Sequence, residues 1–169
     1  MGVLNRKQIA KMLPHTGPML LPERFIWYEK DETLFGEGEM IIEKETFARK
    51  FLRKMLGGFF PSLYRNSFFI EHHFGCFPGV MLIEFAAQTA ALLVKTASPE
   101  IKGLPIILRF KDQPPEFGRF QTVYDDFLIA KVRLIKKKRG MYYFETIVTK
   151  QDGTIVLETG MTGAAAPEK

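Results

Sequence analysis

The 169-residue chain carries 24 Lys and Arg against 19 Asp and Glu, a net charge of +5, with 46% hydrophobic and 25% charged residues. These fractions suit one globular unit with a real core, exclude a disordered or collagen-like chain, and favour acidic partners. A single cysteine excludes an intramolecular disulfide framework and a cysteine-rich zinc site, three histidines leave little material for a metal cluster, and the cytoplasm is the default compartment.

No repeat, linker or low-complexity tract divides the sequence, which reads as one domain over 1–169. Residues 1–10 lack the apolar stretch of a secretory signal, and Arg6 replaces the Ser or Thr of a myristoylation signal. A short helix is predicted over 6–12, closed by Pro14. Strands follow over 24–29 and 33–42, with a turn at Lys30-Asp31. The period then changes over 44–56. Phe47, Phe51, Leu52, Met55 and Leu56 share one helical face, with Arg49, Lys50, Arg53 and Lys54 mostly opposite, and Gly57-Gly58 ends the helix. That helix either packs its apolar side on the sheet or covers a site and turns its basic side to an acidic partner. Residues 59–77 are aromatic and irregular and hold two of the three histidines.

Pro78-Gly79 opens a helix over 80–96 that is apolar almost all round and must be enclosed by other structure. The apolar run 78–94 is broken by Glu84 and Gln88, which argues for a core helix rather than a membrane span. Pro99 and Gly103 end it. Strands are predicted over 106–111, about 127–136, 141–150 and 154–160, with a tight connection over 137–140 and an Asp-Gly hairpin signal at Gln151-Asp152-Gly153. One buried helix and a run of antiparallel strands make an α+β fold, a sheet wrapped around that helix. The run Lys136-Lys137-Lys138-Arg139 lies between two strands and reads as a solvated hairpin end; no nucleic-acid motif accompanies it.

Glu84 is the oddity in this pattern, flanked by Val80, Met81, Leu82, Ile83, Phe85, Ala86 and Ala87. A carboxylate buried there costs several kcal/mol unless paired or protonated. It is either a structural group that reaches water or the backbone, or an acid held in a dry pocket to donate a proton. His72 and His73 stand just upstream of the same helix, whose free N-terminal N–H groups favour developing negative charge. A base, an acid and an oxyanion site thus fall close together in the chain.

Two motifs carry a resemblance. The opening Ile9-Ala10-Lys11-Met12-Leu13-Pro14-His15-Thr16-Gly17-Pro18-Met19-Leu20-Leu21 resembles that of the β-hydroxyacyl-acyl carrier protein dehydratases of fatty-acid synthesis. The stretch 69–88, with His73-Phe74 and then Pro78-Gly79-Val80-Met81-Leu82-Ile83-Glu84-Phe85-Ala86-Ala87-Gln88, resembles their active-site loop and central helix. More loosely, Arg109-Phe110-Lys111 and the strand pair joined at Lys138-Arg139-Gly140 agree as well. The resemblance implies a hotdog fold, at least a homodimer with composite sites, and an acyl carrier protein as partner. It implies dehydration of a 3-hydroxyacyl thioester to the 2-enoyl thioester, with no cofactor. His73 matches the catalytic histidine, Glu84 the catalytic carboxyl group, and Gly79 the glycine whose N–H polarises the thioester carbonyl. Glu84, where the bifunctional dehydratase-isomerases have aspartate, leans towards the simple dehydratases. Phe68, Phe69, Phe74, Phe77 and Gln88 are candidate lining of an acyl channel, the phenylalanines equally plain core packing.

The chain also departs from the family. Gly75 follows the His-Phe pair where the family has proline, and the loop to Pro78 is shorter, which makes His72 the alternative imidazole. Insertions fall at about 44–66 and 114–126. These changes suit a specialised polyketide or secondary-metabolite dehydratase. The alternatives are a non-catalytic hotdog subunit that binds an acyl chain or carrier, and a hotdog thioesterase, whose central helix also carries a carboxylate.

Overall fold

The computed structural model describes residues 1–42, 51, 55, 76–98, 103, 105–110, 121, 123 and 126–165. In chain order these form β1 (Gly2–Asn5), α1 (Arg6–Met12), a 3₁₀ turn (Gly17–Met19), β2 (Arg24–Lys30), β3 (Thr33–Ile42), α2 (Gly79–Ala97), β4 (Pro105–Phe110), β5 (Asp126–Lys138), β6 (Met141–Lys150) and β7 (Ile155–Ala165). The strands make one sheet in the order β1-β2-β3-β5-β6-β7-β4, every neighbouring pair antiparallel. The sheet wraps α2, and this is the hotdog fold that the resemblance implies.

Local chemistry explains most of these elements. Asn5 accepts from the Gln8 N–H at 3.1 Å while Gln8 Oε1 accepts from the Asn5 N–H at 2.9 Å, a reciprocal cap that starts α1. Pro14 follows the last turn and cannot continue it. The predicted spans 33–42 and 141–150 coincide with β3 and β6. Asp31 and Glu32 both take positive φ, 51° and 59°, as the two centre residues of a primed hairpin turn do, so the turn falls one residue later than Lys30-Asp31. Arg139 and Gly140, at 53° and 76°, build the β5–β6 turn in the same way.

Two differences from the sequence reading are tertiary in origin. β1 has only four residues, too few to show a period, and exists because it pairs with β2 from Gly2↔Trp27 to Asn5↔Arg24. β7 runs to Ala165 rather than ending at 160, because β6 on one side and β4 on the other both pair with its last residues, among them Phe144↔Met161, Met141↔Ala164, Arg109↔Thr162 and Ile106↔Ala164. Register shifts in β4, β5 and β7 add the local bends that let the sheet curve.

The core lies between the inner face of the sheet and α2. Phe85, Leu82, Leu92 and Leu93 of the helix and Leu128, Val132 and Val148 of the sheet are at most 1% exposed. Each such side chain contributes on the order of 1.5–3 kcal/mol of hydrophobic stabilisation. The helix approaches β3 closely because Gly36 and Gly38 have no side chains there. A Cβ on Gly36 would lie 2.9 Å from the Phe25 ring and 3.4 Å from Leu93 Cβ, and one on Gly38 would overlap the Thr89 hydroxyl. By length and composition α2 is apolar enough to cross a membrane; its packing into the sheet makes it a core helix instead. Ion pairs such as Arg24–Glu39 at 2.9 Å and Arg133–Glu145 lie on partly exposed side chains, where they add little.

Of the predicted helix 44–56, Phe51 and Met55 are described. Both are helical, and both are exposed, at 54% and 64%, so neither is packed in the core. Arg49, Lys50, Arg53 and Lys54, the rest of the insertion at 44–66, and most of the one at 114–126 lie outside the described residues.

Candidate active site

The site begins where α2 begins. Phe77 N–H donates to Val123 C=O at 2.7 Å, an isolated bridge that ties the approach to the helix to the strand region before β5. Pro78 then takes the N-cap position with extended backbone, and Met81 N–H donates to its C=O at 2.9 Å. Gly79 is the first helical residue and is exposed. Its N–H is one of the first four of the helix, which have no intrahelical acceptor, and the positive end of the helix dipole lies there. Phe77 is 6% exposed and belongs to the core cluster.

One and a half turns into α2, Glu84 stands in a cluster built from two distant parts of the chain. Gln88, one turn further on, donates through Nε2 to Glu84 Oε1 at 2.8 Å and to Met19 C=O at 2.7 Å, and its Oε1 accepts from Leu21 N–H at 3.0 Å. Gln88 is 1% exposed, so its amide is fully occupied inside the protein. It latches the segment after α1 onto the helix. That latch brings His15 to Glu84, with Nε2 3.1 Å from Oε1. The His15 and Glu84 side chains are 30% and 32% exposed. Glu84 is therefore paired and partly open to solvent, not sealed in a dry pocket.

Glu84 and His15 look into a cavity of about 430 Å³. Leu13, Ala87 and Ala91 supply apolar wall, and Pro105, Ile106 and Ile107 of β4 close one side. The arrangement offers a carboxyl group and an imidazole on one largely apolar cavity, one and a half turns from the start of the helix. Those are the parts for moving a proton at a substrate that has both an apolar chain and a carbonyl. Among the described residues no group of three or more His, Cys, Asp or Glu is placed to hold a metal ion.

Of the candidate site residues, the structure brings Glu84 and Gln88 together and sets Gly79 at the helix start. His72, His73, Phe68, Phe69 and Phe74 lie outside the described residues. His15 is the site residue to which sequence reasoning gave no role. It stood in view within the opening motif, but only the fold shows that this motif and the helix motif converge.

No protein-family model matches the chain. Among curated proteins, the 3-hydroxyacyl-acyl-carrier-protein dehydratase FabZ of Teredinibacter turnerae is 30% identical over 155 residues, covering 91% of both chains. That of Coxiella burnetii is 29% identical over 154 residues, covering 90% of this chain and 91% of its own. The chain belongs to the FabZ dehydratase family. Solved structures agree on the fold: the dehydratase heterocomplex ApeI:P of Xenorhabdus doucetiae superimposes with a TM-score of 0.60 at 19% identity, covering 95% of this chain and 91% of that one. A variant thioesterase from Pseudomonas aeruginosa does so with a TM-score of 0.61 at 14% identity, covering 98% and 96%. In this FabZ relative the two motifs behind the resemblance form one site, joined by Gln88 across 69 residues of chain.

Proposed function

We propose that the chain dehydrates a 3-hydroxyacyl thioester borne by an acyl carrier protein, giving the 2-enoyl thioester, in fatty-acid or polyketide-type synthesis. The observation that carries this reading is Glu84, set on the central helix against the 430 Å³ cavity and held there by Gln88 and His15. Elimination of water needs a base for the C2 proton, an acid for the C3 hydroxyl and donors for the enolate-like oxygen. Glu84 is the acid. Gly79 N–H at the helix N-terminus is the oxyanion donor, and His73 is the base, with His72 the alternative imidazole. The apolar wall of Leu13, Ala87 and Ala91 takes the acyl chain. The chain's net +5 suits an acidic carrier and the cytoplasm as the place of action.

The active form in this reading is a homodimer. β4 is an edge strand of the sheet, Ile106 and Leu108 on it are 39% and 54% exposed, and the same strand borders the cavity. A second copy set against that strand covers Ile106 and Leu108 and closes the open side of the cavity. Sedimentation equilibrium should give twice the 19.4 kDa chain mass.

Mass spectrometry of carrier-bound 3-hydroxyacyl chains of several lengths tests the activity. Loss of one water from the thioester supports dehydration. Release of the free acid points to hydrolysis, and an unchanged thioester across all lengths points to a binding subunit.

A further inference from the structure

His15 occupies the site without a role in the scheme above. Its Nε2 lies 3.1 Å from Glu84 Oε1, and Gln88 Nε2 lies 2.8 Å from the same oxygen. The other ring nitrogen, Nδ1, is buried and has no hydrogen-bond partner among the described residues. These contacts decide where the imidazole proton sits. A proton on Nδ1 would strand a buried donor and leave the Nε2 lone pair facing an oxygen. A proton on Nε2 faces the Glu84 oxygen at 3.1 Å and leaves only an unused lone pair at Nδ1.

We propose that His15 is a positioning residue for Glu84: its Nε2–H and the Gln88 amide both hold Oε1, so that Oε2 is the oxygen that carries and releases the proton. Among the described residues Oε2 accepts no hydrogen bond. The inference rests on the dehydratase reading and assigns its acid to one atom. In the elimination, the Oε2–H bond breaks and its proton goes to the C3 oxygen. The C3–O bond breaks with its electron pair on oxygen, and water leaves. The C2–H pair becomes the C2=C3 bond, and that proton goes to the imidazole base. Glu84 is left as a carboxylate, and the two donors on Oε1 bind it more strongly as its charge develops. Interactions that strengthen towards the transition state lower the barrier. The anchor is rigid because Gln88 also grips Met19 and Leu21, the backbone just after His15.

The test uses the full chain with His15→Ala and His15→Gln. With Ala, kcat for the carrier-bound substrate should fall about 10- to 100-fold, the worth of one hydrogen bond to a charged group, while KM stays constant. Gln presents an N–H at similar reach and should recover most of the loss. An unchanged kcat with Ala, a parallel change in KM, or no recovery with Gln overturns the proposal. A second readout needs no turnover: the imidazole ¹⁵N spectrum of the wild-type chain should show Nε2 protonated and Nδ1 bare, with Nε2 shifting in Glu84→Gln. A spectrum with Nδ1 protonated, or no shift in the variant, overturns the proposal whatever the activity. If the wild-type chain dehydrates nothing, the function fails by itself, and the spectrum still upholds or overturns the His15–Glu84 contact.

Discussion

The two halves of α2 do different work with the same kind of sequence. In the N-terminal half, Gly79 and Val80 are exposed, Val80 at 71%, and Glu84 shares the cavity with His15. In the C-terminal half, Thr89 to Val94 are buried without interruption against the glycines of β3 and the inner sheet. Both halves are mostly apolar and both are helical. What separates them is the surface each meets. One meets an irregular segment with polar side chains; the other meets a sheet whose glycines admit it at contact distance. A single rigid helix thereby holds the Glu84 carboxyl at one end by being locked at the other, the kind of fixed placement that the proposed proton transfer needs.

The largest effect should come from breaking the functional half alone. Glu84→Gln should lower dehydration turnover by about 10²- to 10⁴-fold, the usual worth of a general acid. The thermal midpoint should barely move, since the amide keeps the shape and one oxygen for Gln88 and His15. A large fall in stability would show that the carboxylate is a structural group.

The packing half should respond in the opposite way. Gly38→Ala drives a Cβ into the Thr89 hydroxyl, with Thr89 Cγ2 at 3.1 Å. Denaturant melts should show a loss of about 1–3 kcal/mol, as over-packed cores do, while turnover per folded molecule holds. Adding Thr89→Ala removes both clashing atoms and should restore part of the loss, a non-additivity expected of residues in contact. Strict additivity would mean that the glycine serves the strand, not the helix approach.

The sheet side of the core offers a smaller change, of opposite sign. Thr146 is 1% exposed on β6 and its hydroxyl is buried without a partner. Thr146→Val keeps the shape and removes the unpaired group, so stability should rise by about 1 kcal/mol. A loss on thermal melting would reveal a partner for the hydroxyl.

The smallest effect lies away from both halves and serves as a control. The Thr154 N–H donates to Asp152 Oδ1 at 2.8 Å, and this backbone hydrogen bond holds the Asp152 carboxyl below its ordinary value of 3.8. A depressed carboxyl stabilises the fold above that ordinary value, and the contribution fades as pH falls through the lowered one. Asp152→Asn should slightly flatten the acid limb of the stability curve and leave activity untouched.

The sequence by itself determined a good deal of this. The apolar run of 80–96 opened by Pro78-Gly79 and the β-branched and aromatic content of the strands are local properties, so α2, β3 and β6 could be read without the fold. The Asp-Gly signal and Lys138-Arg139-Gly140 marked the hairpins because turn chemistry is local as well. Glu84 was visible as a charge in an apolar run, and the two motifs gave the family resemblance. Tertiary structure decided the rest. β1 is a strand only because β2 is beside it, and β7 runs on past 160 because β6 and β4 pair with it on both sides. That His15 belongs to the site follows from Gln88 binding Met19 and Leu21 across the core. No local preference encodes that meeting, because residues so far apart in the chain become neighbours only when the packing of α1 and α2 brings them together.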